Sequence, residues 1–229
     1  LKSDLYLKDI TDEIIAGIDA SKEFISNSIL TDEYKPMLEG KDIKKYQTNF
    51  GGNYVLYNRK KLNRARPEYV WKSKIKIVVQ RISGGSSPLV GTIDRENFLS
   101  FNSTNLILIK EDFEKEYPYE LICALINSRL WSFYYSKNFS NGSNLTVNIS
   151  KTFLEMLPLP KKPSTELVKK ISDIVEQLLT LNIEIKSANL ESKKEQIKNK
   201  IEHLEESANK LVYQLYDLSS EDIAIIESA

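Results

Sequence analysis

Leu121-Ile-Cys-Ala-Leu-Ile-Asn-Ser-Arg-Leu-Trp-Ser-Phe-Tyr-Tyr135, a polar loop, and then Thr146-Val-Asn-Ile-Ser-Lys-Thr-Phe-Leu-Glu-Met-Leu-Pro-Leu-Pro160 form the stretch around which the chain is organised. Leu121, Ile122, Leu125, Ile126, Leu130, Phe133 and Tyr134 recur at helical spacing, which predicts a helix laid with one face on a sheet. Lys137 to Asn144 is rich in Asn, Ser and Gly, residues that favour turns. Leu145 to Ile149 alternates apolar and polar like a strand. Pro158 and Pro160 close the unit, because proline continues neither a helix nor a central strand.

Toward the N-terminus, Ile10 to Ile18 is mildly amphipathic and predicts a short helix, with Asp9 or Thr11 as its cap. Glu23 to Ser26 predicts a short strand. Pro36 to Tyr46 is a turn-rich basic segment; Gly40 is suited to the positive φ of a tight turn, which would project Lys41, Lys44 and Lys45 together. Asn53 to Asn58 reads as a strand, followed by Arg59-Lys60-Lys61-Leu-Asn-Arg64-Ala-Arg66. Pro67 then starts a helix with Tyr69, Val70 and Trp71 on its apolar side. Lys74 to Ile82 alternates, with Ile75, Ile77 and Val79 on one face and Lys74, Lys76 and Val78 on the other. Ser83-Gly-Gly-Ser-Ser87 reads as a hairpin turn; it lacks the Gly-Lys-Ser/Thr ending of a phosphate-binding loop. Leu89 to Ile93 and Phe98 to Ile109 are further strands.

After Pro160 the pattern changes. Residues 164–216 contain no Pro or Gly. Leu167, Ile171, Ile174, Leu178, Leu181 and Ile185 step by four and three, and Ile197, Ile201, Leu204, Ala208, Leu211 and Leu215 repeat those steps. This is the seam of a coiled coil, broken near Asn189 to Ser192, and it predicts an antiparallel hairpin about 35 Å long. Such a pair either packs on its own domain or stands out as a spacer arm; the arm is the favoured reading. Ser219 to Asp222 caps a last short helix containing Ile223, Ile225 and Ile226. The fold class is therefore α+β: a twisted mixed β-sheet domain over residues 1–160, then an antiparallel α-helical hairpin with a short C-terminal helix over 161–229.

With 41% hydrophobic and 28% charged residues, the 229-residue chain has ordinary soluble composition. No apolar run reaches the roughly 18 residues of a membrane span. The single cysteine, Cys123, has no partner for an internal disulfide and is expected buried in a helix, in a reducing, cytoplasmic compartment. Net charge is zero, yet residues 41–81 hold 12 Lys/Arg against 2 Asp/Glu. Such asymmetry points to a polyanion at the basic segment or to a solvated surface balanced by acids folded nearby.

Three stretches carry a family resemblance: Asn127-Ser128-Arg129 with its aromatic run, Gly/Asn loop and closing Leu-Pro-Leu-Pro; Pro36-Met-Leu-Glu-Gly-Lys-Asp-Ile-Lys-Lys-Tyr46; and Lys74-Ile-Lys-Ile-Val-Val-Gln-Arg81. In order and spacing they resemble the TaqI-like C-terminal specificity domain of adenine methyltransferases and fused restriction–methylation enzymes, and the specificity subunits of type I systems are similar. Leu215-Tyr-Asp-Leu218 and the acidic helix start after it also resemble the ends of the fused enzymes. One departure is Asp19-Ala20-Ser21, where the family often has a second glycine after the position of Gly17. The resemblance implies recognition of a double-stranded DNA target. It also implies a methyltransferase domain, and in fused enzymes a nuclease, preceding this chain or supplied by a partner subunit. The chain begins at Leu1 and is accordingly read as a piece of a longer protein. The cofactors implied belong to that parent: S-adenosylmethionine, with Mg²⁺ where the parent also cleaves DNA.

The residues themselves offer no catalytic set. His203 stands alone on the second long helix, one Cys and one His do not make a zinc site, and there is no Gly-X-Ser-X-Gly elbow. No Pro-Pro occurs for the Asn/Asp-Pro-Pro-Tyr/Phe motif of adenine methyltransferases. Glu184-Ile-Lys186 and Glu191-Ser-Lys193 match the end of a nuclease motif without its upstream acid. The expected chemistry is binding: Lys41, Lys44, Lys45, Arg59, Lys60, Lys61, Arg64 and Arg66 on phosphates, and Gln80, Arg81, Asn102 and Asn144 near base edges. Two alternatives remain. One is a coiled-coil assembly module without DNA contact; the other is an RNA-binding surface using Tyr46, Tyr54 and Tyr57.

Overall fold

A computed structural model describes residues 3–83, 87–139 and 147–228. Its strands are β1 (Thr11–Ala16), β2 (Ile25–Ser26), β3 (Tyr34–Leu38), β4 (Ile43–Lys44), β5 (Gln47–Thr48), β6 (Tyr54–Leu56), β7 (Lys76–Gln80), β8 (Ile82–Ser83), β9 (Gly91–Asp94), β10 (Leu99–Ser100), β11 (Thr104–Ile109) and β12 (Val147–Asn148). Its helices are α1 (Leu7–Ile10), α2 (Glu68–Lys72), α3 (Glu111–Glu114), α4 (Tyr119–Asn127), α5 (Arg129–Phe139), α6 (Lys151–Glu155), α7 (Thr165–Ser187), α8 (Glu191–Leu215) and α9 (Ser220–Glu227). The class is α+β, as the sequence predicts.

The expected single sheet is two four-stranded sheets and two short ribbons. The central sheet runs β1-β11-β7-β9, antiparallel throughout. β11 is buried at every position, the mark of a strand covered on both faces. On one face Ile77, Val79, Ile93 and Ile107 pack with the helices. On the other, Val78, Leu106 and Leu108 pack with Met37, Leu38, Val55 and Leu99 of the second sheet, β10-β3-β6-β2. The alternation of Ile75, Ile77 and Val79 against Val78 is as predicted.

Lys76 departs from its expected solvent face. It is fully buried and faces its cross-strand partner Asp94, with Nζ 2.8 Å from the carboxylate. The second sheet covers that face of β7, so an ion pair occupies a position that alternation alone assigns to water.

The expected helix over 10–18 is also not formed beyond Ile10. After the single turn of α1 the chain enters β1, which pairs with β11 across a bulge between Thr11 and Glu13. The open edge of β11 and the β-branched Thr11, Ile14 and Ile15 outweigh a weak helical moment. Gly40 has no positive φ; Tyr46 takes that conformation, at 53°, between β4 and β5. Gly40 instead allows close approach: a Cβ there would lie 2.6 Å from the Ser103 carbonyl oxygen.

The helix over 121–134 forms as two. Ser128 Oγ donates to the Leu125 carbonyl at 2.6 Å and accepts from Trp131 N–H at 3.1 Å, ending α4 and capping α5. From Leu121 to Asn127 every residue of α4 is buried, between β7 and β9 on one side and α7 on the other. Asn127 fixes its end to the sheet. Its Oδ1 accepts from Gly91 N–H at 3.0 Å and its Nδ2 donates to the Gly91 carbonyl at 2.9 Å. Cys123 is buried beside it, and desolvation pushes the thiol pKa up.

The hairpin is α7 and α8, joined over 188–190. Its base belongs to the main core: Val168, Ile171, Val175 and Leu178 of α7 and Val212, Tyr213 and Leu215 of α8 cluster with α4 and the central sheet. Leu181, Ala188 and Ile197 form a separate small cluster farther out, with Ile185, Ile201 and Leu204 against it. Ser219 caps α9 through a reciprocal box with Asp222, as predicted. None of the described helices is long and apolar enough to cross a membrane.

Candidate nucleic-acid interface

The basic residues of 41–81 divide into two groups once folded. Gly17 marks where one of them is built. A Cβ on Gly17 would lie 2.2 Å from the carbonyl oxygens of Ser100 and Phe101, so β1 and the turn before β11 cross in backbone contact. Two guanidiniums are anchored on this crossing. Arg66 Nε donates to the Gly17 carbonyl at 3.1 Å. Arg81 Nη1 donates to the Asn102 carbonyl at 3.1 Å, and its Nε to Asn148 Oδ1 at 3.3 Å. Arg64 is held nearby by a backbone bridge to Asp19, and Arg59 Nη1 donates to the Arg66 carbonyl at 3.0 Å. Lys60 and Lys61 are exposed on the same loop, Lys61 lying over the Phe24 ring.

Burial, and then repulsion from Arg64 and Arg81, lower the Arg66 pKa against the attraction of Glu13 and Asp19. The guanidiniums therefore feel one another. Among the described residues none of Arg59, Arg64, Arg66 and Arg81 forms an ion pair; of the twelve basic residues in 41–81 only Lys41, Lys72 and Lys76 do.

The second group is on and beside the β4–β5 ribbon. Lys41 pairs with Glu39. Lys44 is exposed on β4 and Lys45 is half-buried, within the field of Glu205 on α8. The β4–β5 ribbon lies on the helical hairpin: Gln47 Nε2 donates to the Asn182 carbonyl at 3.2 Å, and Lys186 Nζ to the Thr48 carbonyl. Lys41 adjoins Gly40, whose N–H donates to Ser103 Oγ at 2.9 Å, next to the Asn102 carbonyl held by Arg81, while Lys44 and Lys45 lie at the ribbon that meets the hairpin.

Of the expected base readers, Arg81 and Asn102 are joined by a hydrogen bond, while Gln80 is half-buried at the end of β7. Asn144 lies outside the described residues, as do residues 84–86. Sequence reasoning passed over Asn148 and Ile82, which pair across β12 and β8. The alternation of 145–149 held the signal, since it sets Ile149 inward and Asn148 outward. Tyr46, one of three aromatics needed for RNA stacking, is buried in the core.

Residues 35–159 match the family of the TaqI-like C-terminal specificity domain. The chain belongs to that family. The matched span is more than half of the 229 residues and contains every expected contact residue from Lys41 to Asn144. The crossing strand β1, with Gly17 and Asp19, lies before it. Among solved structures, the specificity-domain chain is similar along its whole length to the type IIL restriction–modification enzyme MmeI, solved in complex with DNA, with a TM-score of 0.59 at 11% identity. It spans 37% of the length of that enzyme's chain. The HsdS subunit from Thermoanaerobacter tengcongensis superposes over 93% of this chain and 44% of its own, at 12% identity and a TM-score of 0.41. No curated protein sequence matches the chain.

Proposed function

We propose that this chain recognises a DNA target sequence and positions an adenine-specific methyltransferase domain over it, in a modification enzyme or a fused restriction–modification enzyme. The observation that carries the reading is the family assignment of residues 35–159 to a specificity domain. The arginines gathered at the Gly17 crossing support it: Glu13 and Asp19 act on Arg66 but none of these arginines forms an ion pair among the described residues, and clustered guanidiniums with charge left unpaired favour a polyanion. The phosphate contacts are assigned to Arg59, Lys60, Lys61, Arg64 and Arg66, with Lys41, Lys44 and Lys45 as a secondary group. Base contacts are assigned to Arg81, Gln80, Asn102 and Asn144. S-adenosylmethionine, and Mg²⁺ for a cleaving parent, belong to the catalytic part and have no assigned residues here.

The test is binding of the chain to randomised duplex DNA, with duplex RNA as competitor and labelled S-adenosylmethionine plus Mg²⁺ in a parallel incubation. Enrichment of a DNA sequence, weak competition by RNA, and no methyl incorporation or cleavage by the chain alone are expected. Failure to enrich any DNA sequence would overturn the reading.

A further inference from the structure

The ribbon formed by β8 and β12 is one of two two-stranded sheets among the described residues, and its outward side chains are not accounted for by packing. Ile82 pairs with Asn148, and Ile149 N–H donates to the Arg81 carbonyl at 2.7 Å. Directly paired residues of an antiparallel ladder share a face. Ile149 is fully buried, so the inward face is set by residue 149 and the outward face by Ile82 and Asn148. Both outward residues are exposed, and Ile82 is 53% accessible. An isoleucine at the outward position of a ribbon, beside an exposed Asn, inverts the usual apolar-in, polar-out alternation. Single exposed apolar residues are ordinary; this one shares its face with an amide and its strand junction with a guanidinium.

We infer that the β8–β12 ribbon is the element that enters the DNA major groove, with Ile82 packed on a thymine C5-methyl and Asn148 and Arg81 donating to base acceptors beside it. This rests on the proposed DNA-recognition function and names its reading element. The major groove admits a two-stranded ribbon, and the thymine methyl is its apolar landmark. Charge complementarity selects duplex DNA as the occupant: Arg81 opens the ribbon and interacts with Arg66, itself bonded to Gly17, where the flanking Arg64 loop meets the sheet. Asn148 has a two-part task. Its Oδ1 accepts from Arg81 Nε, which fixes the guanidinium. Its Nδ2 hydrogens have no partner among the described residues and are donors for N7, O6 or O4.

The experiment selects sequences from a randomised duplex library with the full chain. It then replaces each thymine of the enriched site by deoxyuridine, which removes only the methyl group. At one thymine position the intact chain loses about fourfold in affinity, the worth of one buried methyl, and Ile82→Ala abolishes that difference while Ile82→Val keeps most of it. Asn148→Ala changes the enriched sequence itself. Thermal melting of each variant checks the fold, which substitution at exposed residues leaves in place. An enriched site insensitive to deoxyuridine at every thymine, or an unchanged preference in both alanine variants, overturns the ribbon assignment and leaves DNA recognition standing. A chain that enriches nothing overturns both.

Discussion

Lys76 and Asp94 are the most consequential pair of side chains in the central sheet. Both are buried, face each other across β7 and β9, and meet at 2.8 Å without hydrogen-bond alignment. Asp94 is held from a second side by Glu96 N–H, 2.8 Å from Oδ1. Removing one partner of a buried pair strands the other charge at a cost of about 3–5 kcal/mol, whereas replacing both by apolar groups of similar size is often neutral or stabilising. Lys76→Ala is therefore expected to lower unfolding stability by that amount, and Lys76→Met with Asp94→Leu to recover most of it, as urea titration would read. A recovery absent in the double variant would mean that the pair holds β7 and β9 in register. Alternation along 74–82 is legible in the sequence; that Lys76 lies under a second sheet is not, because the covering residues Met37, Leu38 and Val55 come from strands about 20 to 40 residues earlier.

Elements whose signal is local and long are legible in the sequence: the two hairpin helices, the capped α9 and the alternation of β7 all follow from spacing. Residues 11–16 are not, because an edge strand of only six residues is chosen by its partner β11. The seam of the hairpin shows the same division. Val168, Val175 and Val212 are buried beside the expected Leu167, Ile174 and Leu211, which are only partly so. A third helix, α4, widens the apolar stripe at the base. Farther out, Leu181, Ala188 and Ile197 form a separate small apolar cluster between the two helices, with the β4–β5 ribbon adding only polar bonds to α7 at Asn182 and Lys186. Ile197→Asp is expected to open only the outer half of α7 and α8, with amide exchange accelerated over residues near 181–201 and the base protected. Val212→Asp places a charge in the main core and is expected to destabilise the entire chain. Equal exchange profiles in the two variants would show that base and outer half open as one unit.

For the molecule as a whole, the charge pattern asks which surface meets DNA. The sequence locates an excess of ten positive charges in 41–81 but does not say which of them share a face. Folding removes Lys76 to the core, pairs Lys41 and Lys72 with Glu39 and Glu68, and brings Lys45 near Glu205. Arg59, Lys60, Arg64 and Arg66 are left near the Gly17 crossing. Binding driven by phosphate neutralisation falls with salt at a slope of roughly 0.9 per phosphate contact. Changing those four residues together to Ala is expected to flatten the slope by up to about 3 to 4 and to weaken all sequences alike. Changing Lys44 and Lys45 is expected to alter it by less than about 1 each, since Lys45 already has an acidic neighbour. Titrations of both variants between low and physiological salt check this, with intact affinities for non-target DNA on the order of 10⁻⁴ to 10⁻⁶ M. If the lysine pair flattens the slope more than the loop variant does, the DNA lies along the β4–β5 ribbon and the helical hairpin. The Gly17 crossing would then be a structural junction, with Arg66 and Arg81 serving only to tie β1 to the 101–105 turn.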